Sequence, residues 1–522
     1  MKDDLKRKRP MGYQSMVKMI ASAILISWLA GCAVGPDFKR PARPAVATYT
    51  ATPSPALTAS AVTALGESQR LVEGARVNPQ WWQELGSAKL DTLIDEALQA
   101  SPTLAGAQAA LRQAQEVYTG QAGLTRYPQV DASFGGQRQR FNPGALGQSG
   151  GAREFSLYDA SVGVNYTFDL AGGNRRALEA LAARIDYQRY QLEGARLTLV
   201  ANIVTTALTQ ARLAGQIQAT EAILHSQEEQ LGLSRERVRL GHAAADDVLA
   251  LQTQVEQTRA GIPLLRNRYQ QSEHLLAVLA GRPPGAGGLP SFSLQEFILP
   301  AVLPLTVPSE LVRTRPDIQA AEALLHAANA DYGVAVANLY PQLNLSANLG
   351  SQALTTGALF GSGSAIWSLV AQLTQPLFNP GLPAEKRAAL AAFDAAAAHY
   401  QGVVLESLRN VADVLRALEN DAQRLAALSA ADTAAQGSLE SMQRQYVLGA
   451  ASYVQLLTAQ QQLHQMRINL IAAQAQRLVD SAALFQAMGG GSCGDPFLQS
   501  CELQKTVLQN DIPAKFLLGW NY

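Results

Sequence analysis

The two halves of this 522-residue chain carry the same motifs in the same order. A proline-containing segment, a Tyr-Pro-Gln triplet and a Leu-Gly turn occur once in each half. The matched pairs are Ser101-Pro102-Thr103-Leu104 with Arg315-Pro316-Asp317-Ile318, Tyr127-Pro128-Gln129 with Tyr340-Pro341-Gln342, and Leu240-Gly241 with Leu448-Gly449. Such self-similarity indicates that one half is a copy of the other. The fold must therefore be assembled from two similar units.

Each half contains two segments in which apolar and polar residues alternate. Between Tyr158 and Phe168 the even-numbered residues are apolar or aromatic, and the odd-numbered ones are polar or glycine. The same alternation occurs in the segments 130–134, 343–349 and 367–377, the last of which ends at Leu377. A period of two predicts β-strands with one apolar face. Because alternation does not distinguish lipid from a protein core, a half-buried sheet of a soluble domain is the alternative.

Four strands are too few to close a membrane barrel within one chain. Open sheet edges are not tolerated in hydrocarbon, and the smallest closed barrels have about eight strands. If these strands span a membrane, several copies must complete the barrel. Two copies would give a tight barrel filled by its own side chains, whereas three would give about twelve strands and a wider lumen. A pore needs the wider lumen, which favours three copies.

Long helices are predicted for the rest of each half. Apolar residues recur at a heptad step before Gly241 and again before Gly449. The first seam, interrupted by Gln210, consists of Ile203, Ile217, Leu224, Leu231 and Val238. The second seam, interrupted by Asp432, consists of Val411, Leu418, Leu425, Leu439 and Tyr446. About 67 residues of helix extend roughly 100 Å. The two glycines are expected to end these helices as left-handed caps. The returning segments continue the pattern, which predicts two antiparallel coiled-coil hairpins.

The N-terminus reads as a bacterial lipoprotein signal peptide. A basic region precedes an apolar stretch from Met19 to Ala30 that is too short to span a bilayer as a mature helix. Leu29-Ala30-Gly31-Cys32 then resembles a lipoprotein cleavage site, with Cys32 as the acylated first residue. An ordinary signal peptide with a chance cysteine is the alternative. Ala33 follows, where Asp would signal retention in the inner membrane, so the outer membrane is the expected destination.

Composition excludes several partners. Lys and Arg together number 42 and so do Asp and Glu, which gives a formal net charge of zero and no indication of nucleic-acid binding. No later segment is apolar enough for a transmembrane helix, so any spanning part is expected to be β-structure. Apart from Cys32, the cysteines are Cys493 and Cys501. In an oxidising compartment they would form either a small disulfide or two free thiols.

Catalytic machinery is not expected. Residues 147–151 match the Gly-x-Ser-x-Gly pattern of hydrolases, but they lie in a predicted strand-to-strand loop rather than a strand-to-helix turn. The six histidines lack metal-ligand spacing, and no glycine-rich phosphate loop follows a predicted strand. The chain is therefore predicted to be no enzyme, with no cofactor and no metal.

Several motifs together resemble one known family. They are Cys32-Ala33-Val34-Gly35-Pro36-Asp37-Phe38 after the cleavage site, Trp81-Trp82 followed by Leu90 and Leu93, Arg313-Thr314-Arg315-Pro316-Asp317-Ile318, the two glycine turns, and Ala487-Met488-Gly489-Gly490-Gly491. From Cys32 to Gly491 the chain resembles the outer membrane factors of tripartite efflux and secretion systems, the TolC-like channels, and within them the lipid-anchored OprM/NodT-type branch. The Arg-x-Arg-Pro-Asp-Ile motif combined with the duplicated turns is the most specific part of the resemblance.

The resemblance implies a fold class that is mainly α with β. A long coiled-coil α-helical barrel in the periplasm would join a transmembrane β-barrel completed by trimerisation, with an internal two-fold repeat. The implied partners of the homotrimer are a periplasmic adaptor (membrane fusion protein), an inner-membrane efflux pump and outer-membrane lipid. Such a channel exports drugs or other toxic small molecules. Its location is the outer membrane, lipid-anchored and extending into the periplasm.

Six regions are expected along the chain. They are a signal peptide (1–31), an N-terminal linker and equatorial segment (32–100), a first repeat (101–280), an equatorial linker (281–315), a second repeat (316–490) and a C-terminal tail (491–522). Each repeat would contain a helix, two β-strands and a long helical hairpin.

The resemblance also assigns roles to residues near the hairpin turns, which we call the tips. The adaptor-docking residues would be Leu240, Gly241, His242, Ala243, Leu448, Gly449, Ala450 and Ala451, and the gate would use Tyr446, Tyr453, Val454, Leu457, Thr458, Gln461, Asp246 and Asp247. Related channels lock this end with an acidic residue and an arginine, whereas the matching positions here are Thr458 and Gln461. Tyr446 is either a gate aromatic or a seam residue of the coiled coil. Asp246 and Asp247 either cap the returning helix or add negative charge to the entrance.

A different function remains open from the residues alone. A periplasmic coiled-coil adaptor or structural lipoprotein of an export system also carries a coiled-coil hairpin. Such an adaptor would have one hairpin flanked by compact β-modules. This chain has two predicted hairpins, each preceded by a strand pair, which favours the channel.

Overall fold

The computed structural model describes residues 33–147, 149–242 and 244–491 of the chain. This described part is mainly helical, with eight α-helices and six β-strands. The mainly helical class with added β-structure is therefore confirmed. The signal peptide (1–31), Cys32, Ala243, Cys493 and Cys501 lie outside the described residues.

Helices of matching length occur in the same order in both halves. Helices α1 to α4 are Ala88–Ala100, Pro102–Arg126, Gly173–Arg239 and Ala245–Leu279, and α5 to α8 are Pro308–Thr314, Pro316–Ala337, Gly381–Val447 and Tyr453–Ala487. Both α3 and α7 have 67 residues, and both α4 and α8 have 35. The predicted long helices and returning helices are confirmed. Proline begins α2, α5 and α6, where its missing N–H has no intrahelical partner to lose.

The polar interruptions of the two heptad seams have specific partners. Gln210 is 1% exposed, and its side-chain oxygen accepts a hydrogen bond of 3.1 Å from the backbone N–H of Phe292. Asp432 accepts a bond of 3.1 Å from the guanidinium Nε of Arg467 on α8. In each case the polar side chain that interrupts the seam forms a hydrogen bond, as buried polar atoms require.

Four of the strands form one antiparallel sheet. They are β2 (Gln129–Phe141), β3 (Arg153–Phe168), β5 (Gln342–Ala353) and β6 (Ala365–Thr374), in the spatial order β2-β3-β5-β6. The predicted strand pairs are confirmed, but the extension of the last strand to Leu377 is wrong. Strand β6 ends at Thr374 because Pro376 has no N–H to donate and restricts the residue before it.

The sheet has one apolar and one polar face. The pairing register places Val130 opposite Val164, Val164 opposite Ala347 and Ala347 opposite Leu369, so these side chains share one face. On that face Phe134 is 71% exposed and Trp367 is 78% exposed. Asp131, Ser161, Asn344 and Gln372 belong to the other face. Several large apolar side chains exposed on one sheet face mark a surface that contacts an apolar partner or a membrane.

Residues whose Cα atoms lie close together group into two compact units. The first contains the four-stranded sheet within Ala110–Gln188 and Ala321–Tyr400, together with the described N-terminal residues 33–40. That stretch is fixed by side chains. Asp37 forms an ion pair of 2.7 Å with Arg176, which is nearly buried, and the Phe38 ring stacks on His326 with ring centroids 4.3 Å apart.

The second unit contains Pro41–Ala109, Arg189–Ala320 and the described residues from Gln401 onward. Its apolar core includes Trp81, which stacks on Phe485 of α8 with ring centroids 5.5 Å apart. A short parallel pair of strands, β1 (Arg70–Glu73) and β4 (Val302–Leu305), lies in the same unit.

A buried arginine connects the segment before β1 to α8. Arg477 is 0% exposed and donates to the side-chain oxygens of Gln69 at 2.7 Å and Thr58 at 3.2 Å. The amide of Gln69 in turn donates to Ser481 at 2.8 Å. These bonds hold residues distant in sequence in one position.

Among the described residues, no helix combines the length and the apolar composition that crossing a bilayer requires.

Candidate functional site

Both hairpin tips end in the same backbone motif. Gly241 has φ +77°, its N–H donates to the carbonyl of Val238 at 3.0 Å, and the N–H of His242 donates to the carbonyl of Arg237 at 2.8 Å. Gly449 has φ +74° and ends α7 with the same pair of bonds, at 3.0 and 2.8 Å. These are Schellman caps, in which glycine adopts a conformation that other residues disfavour. The predicted left-handed caps are confirmed.

The tip leucines point away from the packed helices. Leu240 is 55% exposed and Leu448 is 82% exposed. His242 and Ala450 are exposed as well, and Ala451 is half-buried. The side chains of the predicted docking residues in the described part are therefore accessible to another molecule.

The first turn of α4 corrects one prediction. Asp246 and Asp247 do not cap this helix, because the N-cap position is occupied by Ala244 and has no side-chain cap bond. The two carboxylates lie in the first turn instead, where they interact favourably with the positive end of the helix dipole. At the other tip Ser452 caps α8 through a capping box with Gln455.

An apolar cluster lies just below the tips, and all four hairpin helices contribute to it. We call it the tip cluster. Its buried members are Leu231, Leu251, Val255, Tyr453, Leu456 and Leu457, and Leu224, Val248, Leu439, Met442 and Tyr446 pack against them. Burying one such side chain is worth about 1.5–3 kcal/mol. The cluster therefore holds the two hairpins of one chain together near their ends.

Tyr446 belongs to this packed seam. Its ring centroid lies 5.6 Å from that of Tyr453, and the guanidinium carbon of Arg237 lies 5.6 Å from the Tyr446 ring centroid. An arginine over an aromatic face adds a cation–π attraction. The geometry matches the coiled-coil role that the heptad gave Tyr446.

Burial separates the predicted gate residues into two groups. Tyr453 and Leu457 are 6% and 8% exposed because they pack in the tip cluster, and that they line a constriction stays a prediction. Val454 is 63% exposed, and Thr458 and Gln461 are exposed with it. The physical reason is the helical period, which places residues 454, 458 and 461 on one face of α8 and residues 453 and 457 on the face that meets the other hairpin.

Two pairs of glutamines join the hairpins, and we call them the amide pairs. The side-chain nitrogen of Gln461 donates to the side-chain oxygen of Gln254, and that of Gln460 donates to Gln230 at 2.6 Å. Of these four, only Gln461 is among the residues predicted from the sequence. Gln254 and Gln460 are 8% and 9% exposed. The signal in the sequence that could have identified them is a polar residue on a helix face that is predicted to be buried.

Thr458 takes no part in these pairs. Its hydroxyl donates to the backbone carbonyl of Val454 on its own helix at 2.9 Å. Residues 453–466 contain no Asp, Glu, Lys or Arg. This segment therefore holds its position through apolar packing and neutral hydrogen bonds.

Burial favours the uncharged form of two titratable groups of this region, Tyr453 and His464. It raises the pKa of the Tyr453 hydroxyl, and the neighbouring Tyr446 and Asp247 raise it further. Burial lowers the pKa of His464, which favours the neutral imidazole. Neither group introduces a charge between the hairpins near neutral pH.

Comparison with known proteins identifies the family. The sequence profile described as "Outer membrane efflux protein" matches residues 93–282 and 307–490, and each matched stretch contains one strand pair and one helical hairpin. The chain belongs to the outer membrane efflux protein family. This membership confirms the resemblance found in the sequence, the location in the outer membrane and the role in efflux, and it argues against the adaptor alternative.

Curated members of the family are similar over nearly the whole chain. Outer membrane protein OprJ of Pseudomonas aeruginosa is 30% identical over 475 residues, covering 90% of this chain and 95% of its own. The probable efflux pump outer membrane protein TtgC of Pseudomonas putida is 29% identical, covering 91% and 95%. The cation efflux system protein CusC of Escherichia coli is 27% identical, covering 89% and 96%.

Solved structures of outer-membrane channels share the fold. The outer-membrane channel OprN matches with a TM-score of 0.80 at 26% identity, covering 88% of this chain and 99% of the OprN chain. The CmeC outer membrane channel of Campylobacter jejuni also gives a TM-score of 0.80, at 18% identity, covering 92% and 99%. The second comparison shows the fold alone.

The capping glycines yield a prediction for this efflux protein. Gly449→Ala should lower stability by about 1 kcal/mol, because a side chain opposes the positive φ, although no atom lies within 4 Å of the added Cβ. Gly437 is the matched control, because it lies inside α7 with equally open surroundings and no positive φ. Gly437→Ala should stabilise slightly. Thermal unfolding of the purified protein measures both, and equal shifts would contradict the role of the cap.

Proposed function

We propose that three copies of this chain form the outer-membrane duct of a tripartite efflux system, which receives small molecules from a pump and adaptor and releases them outside the cell. The four-stranded sheet carries this proposal. It combines an exposed apolar face, a polar face and two edges, β2 and β6, to which no other strand of the described residues pairs.

Unpaired edges are the reason for an oligomer. In hydrocarbon each unsatisfied backbone group costs several kcal/mol, so a spanning sheet must close on itself. Pairing β2 of one copy with β6 of the next closes a ring in which the apolar face meets lipid and the polar face lines the lumen. Three copies of the sheet give twelve strands, enough for an open lumen.

The helices supply the periplasmic part of the duct. Two hairpins per chain give twelve helices in a trimer, and helices of 67 residues extend about 100 Å at 1.5 Å per residue. The recurrence of helix lengths supports an internal duplication with repeats at 101–280 and 316–490. The segments 32–100 and 281–315, with the tail 491–522, would form the equatorial belt.

The adaptor is proposed to dock at the tips. Leu240 and Leu448 provide exposed apolar side chains beside two rigid glycine turns in each chain. Arg237, His242 and Asp246 make the first tip polar, whereas the second has no Asp, Glu, Lys or Arg between Arg444 and Arg467. The two tips therefore offer an adaptor two chemically different contacts.

The cargo is proposed to be set by the pump and adaptor. The names of similar proteins include toluene, antibiotic and cation efflux, although each of these proteins is similar to this chain over about nine-tenths of its length. A wall that contacts every cargo is poorly suited to select among them.

Lipidation of Cys32 is proposed as the anchor of the mature chain. The cleavage motif Leu29-Ala30-Gly31-Cys32 supports it, and a lipid chain adds membrane affinity to the spanning sheet. In Cys32→Ser, mass spectrometry of the N-terminus should find no acyl group, whereas the wild type should carry one. An acylated residue 32 in the variant would contradict the assignment.

The tip cluster and the amide pairs are proposed to hold the duct closed in its resting state. Both join the hairpins of one chain, so both must loosen before the hairpins separate. The exposed row of Val454, Thr458 and Gln461 would then face the lumen.

A double substitution tests this closure. Tyr446→Ala combined with Leu457→Ala should remove about 2–5 kcal/mol of packing, the range of large-to-small core changes. In lipid bilayers the variant should conduct more than wild type, and cells carrying it should admit large antibiotics. Thr458→Ala is the control, because the Thr458 hydroxyl donates to the backbone of its own helix and no charged partner is lost, and it should change conductance little.

Two results would count against this account of the gate. Equal conductance of the double variant and wild type would contradict closure by apolar packing. A large increase in Thr458→Ala alone would show that a polar lock acts at this position.

A further inference from the structure

Arginines in the two strand hairpins are confined to one end. Within residues 129–168 and 342–374 they occur at Arg138, Arg140 and Arg153, and there is no lysine. All three lie near the turn between β2 and β3, at the end of the sheet remote from the starts of β2 and β5. The second hairpin, β5–β6, contains no charged residue. This asymmetry requires an explanation beyond solubility.

Two of these arginines lie on the apolar face of the sheet. Arg138 and Arg140 have the same parity on β2 as Val130 and Phe134, and successive side chains of a strand alternate between faces. Arg138 is opposite Ser156 and Arg140 is opposite Glu154 in the register. Their side chains are 76% and 70% exposed. They therefore continue the lipid-facing surface beyond its apolar part.

The apolar part has the height of a membrane core. On β3 it extends from Phe168 to Tyr158, ten residue steps. At about 3.3 Å per residue and a tilt of about 40°, this corresponds to roughly 25 Å along the membrane normal. The Tyr158 ring packs beside Gly136, so an aromatic residue marks the outer boundary. Arg138 is the next lipid-facing residue after Gly136 and lies at the level of lipid headgroups.

We propose that Arg138 and Arg140 form a binding surface for phosphate groups of outer-leaflet lipids, the phosphorylated glycolipid of the outer membrane. Guanidinium groups bind phosphate oxygens in a bidentate manner, which explains arginine rather than lysine at both positions. This inference rests on the proposed function, because that function places the sheet in the outer membrane.

Glu154 modulates the surface without neutralising it. Its carboxylate lies 3.3 Å from Arg138 and 3.8 Å from Arg140, so two cations share one anion and one positive charge is left over. Exposed ion pairs of this kind are weak, and phosphate can compete with the carboxylate. Closure of the trimer keeps the surface accessible, because strand pairing at β2 uses backbone groups in the plane of the sheet.

Lipid binding by the purified trimer tests the proposal. Lipid A with both phosphates is added to the protein in phosphatidylcholine nanodiscs, and bound lipid A is counted by native mass spectrometry. Arg138→Gln with Arg140→Gln should weaken binding about thirty-fold, from the usual contribution of two basic side chains at an anionic lipid surface. Glu154→Gln should tighten binding several-fold.

Matched controls identify the chemistry. Arg153→Gln removes an equal charge close by, but Arg153 is opposite Phe141 and has the parity of the polar face, so binding should be unchanged. Dephosphorylated lipid A should bind the wild type as weakly as lipid A binds the double variant, and free inorganic phosphate should not bind measurably.

Three results would overturn the proposal: unchanged lipid A binding in the double variant, an equal loss in Arg153→Gln, or equally tight binding of dephosphorylated lipid A.

These results differ from a failure of the proposed function. If the double variant forms trimers in the outer membrane and still binds lipid A like the wild type, only the lipid site is refuted. If the wild type forms no trimer, the proposed function itself fails.

Discussion

The unpaired backbone groups at the edges of β2 and β6 are the constraint on which the rest of the structure depends. A sheet with an apolar face can enter lipid only if every N–H and C=O has a partner. The sheet of the described residues has four strands, too few to meet this requirement within one chain, so the proposed membrane location requires further copies. In the proposed trimer a shared lumen follows from that requirement, and the hairpins of three chains form a common wall.

The tips resolve two competing demands. In the proposed function they present a fixed surface to an adaptor, which the Schellman caps at Gly241 and Gly449 support, and they must also be able to separate. The tip cluster and the amide pairs join the hairpins without any ion pair from residues 453–466. Neutral contacts respond little to salt. Opening is therefore expected to depend on mechanical engagement by a partner more than on the ionic strength of the periplasm.

Periodicity made most of the fold predictable from sequence. The alternation around Tyr158 gave the strands and their faces, and the heptads with two glycines gave helix ends to within about two residues. The site was less predictable. Gln254 and Gln461 are 207 residues apart, and the burial of Tyr453 and Leu457 depends on how two distant hairpins pack, which neither local pattern contains. The Asp246 cap failed because Ala244, two residues earlier, occupies the N-cap position.

The number of copies in the membrane-inserted species tests the central claim most directly. Native mass spectrometry of the protein extracted from outer membranes should give one species with the mass of three mature chains. That species should separate into single chains only when the sheet is unfolded. A stable, membrane-inserted species containing one chain would contradict the account, because its two sheet edges would then remain unpaired in lipid.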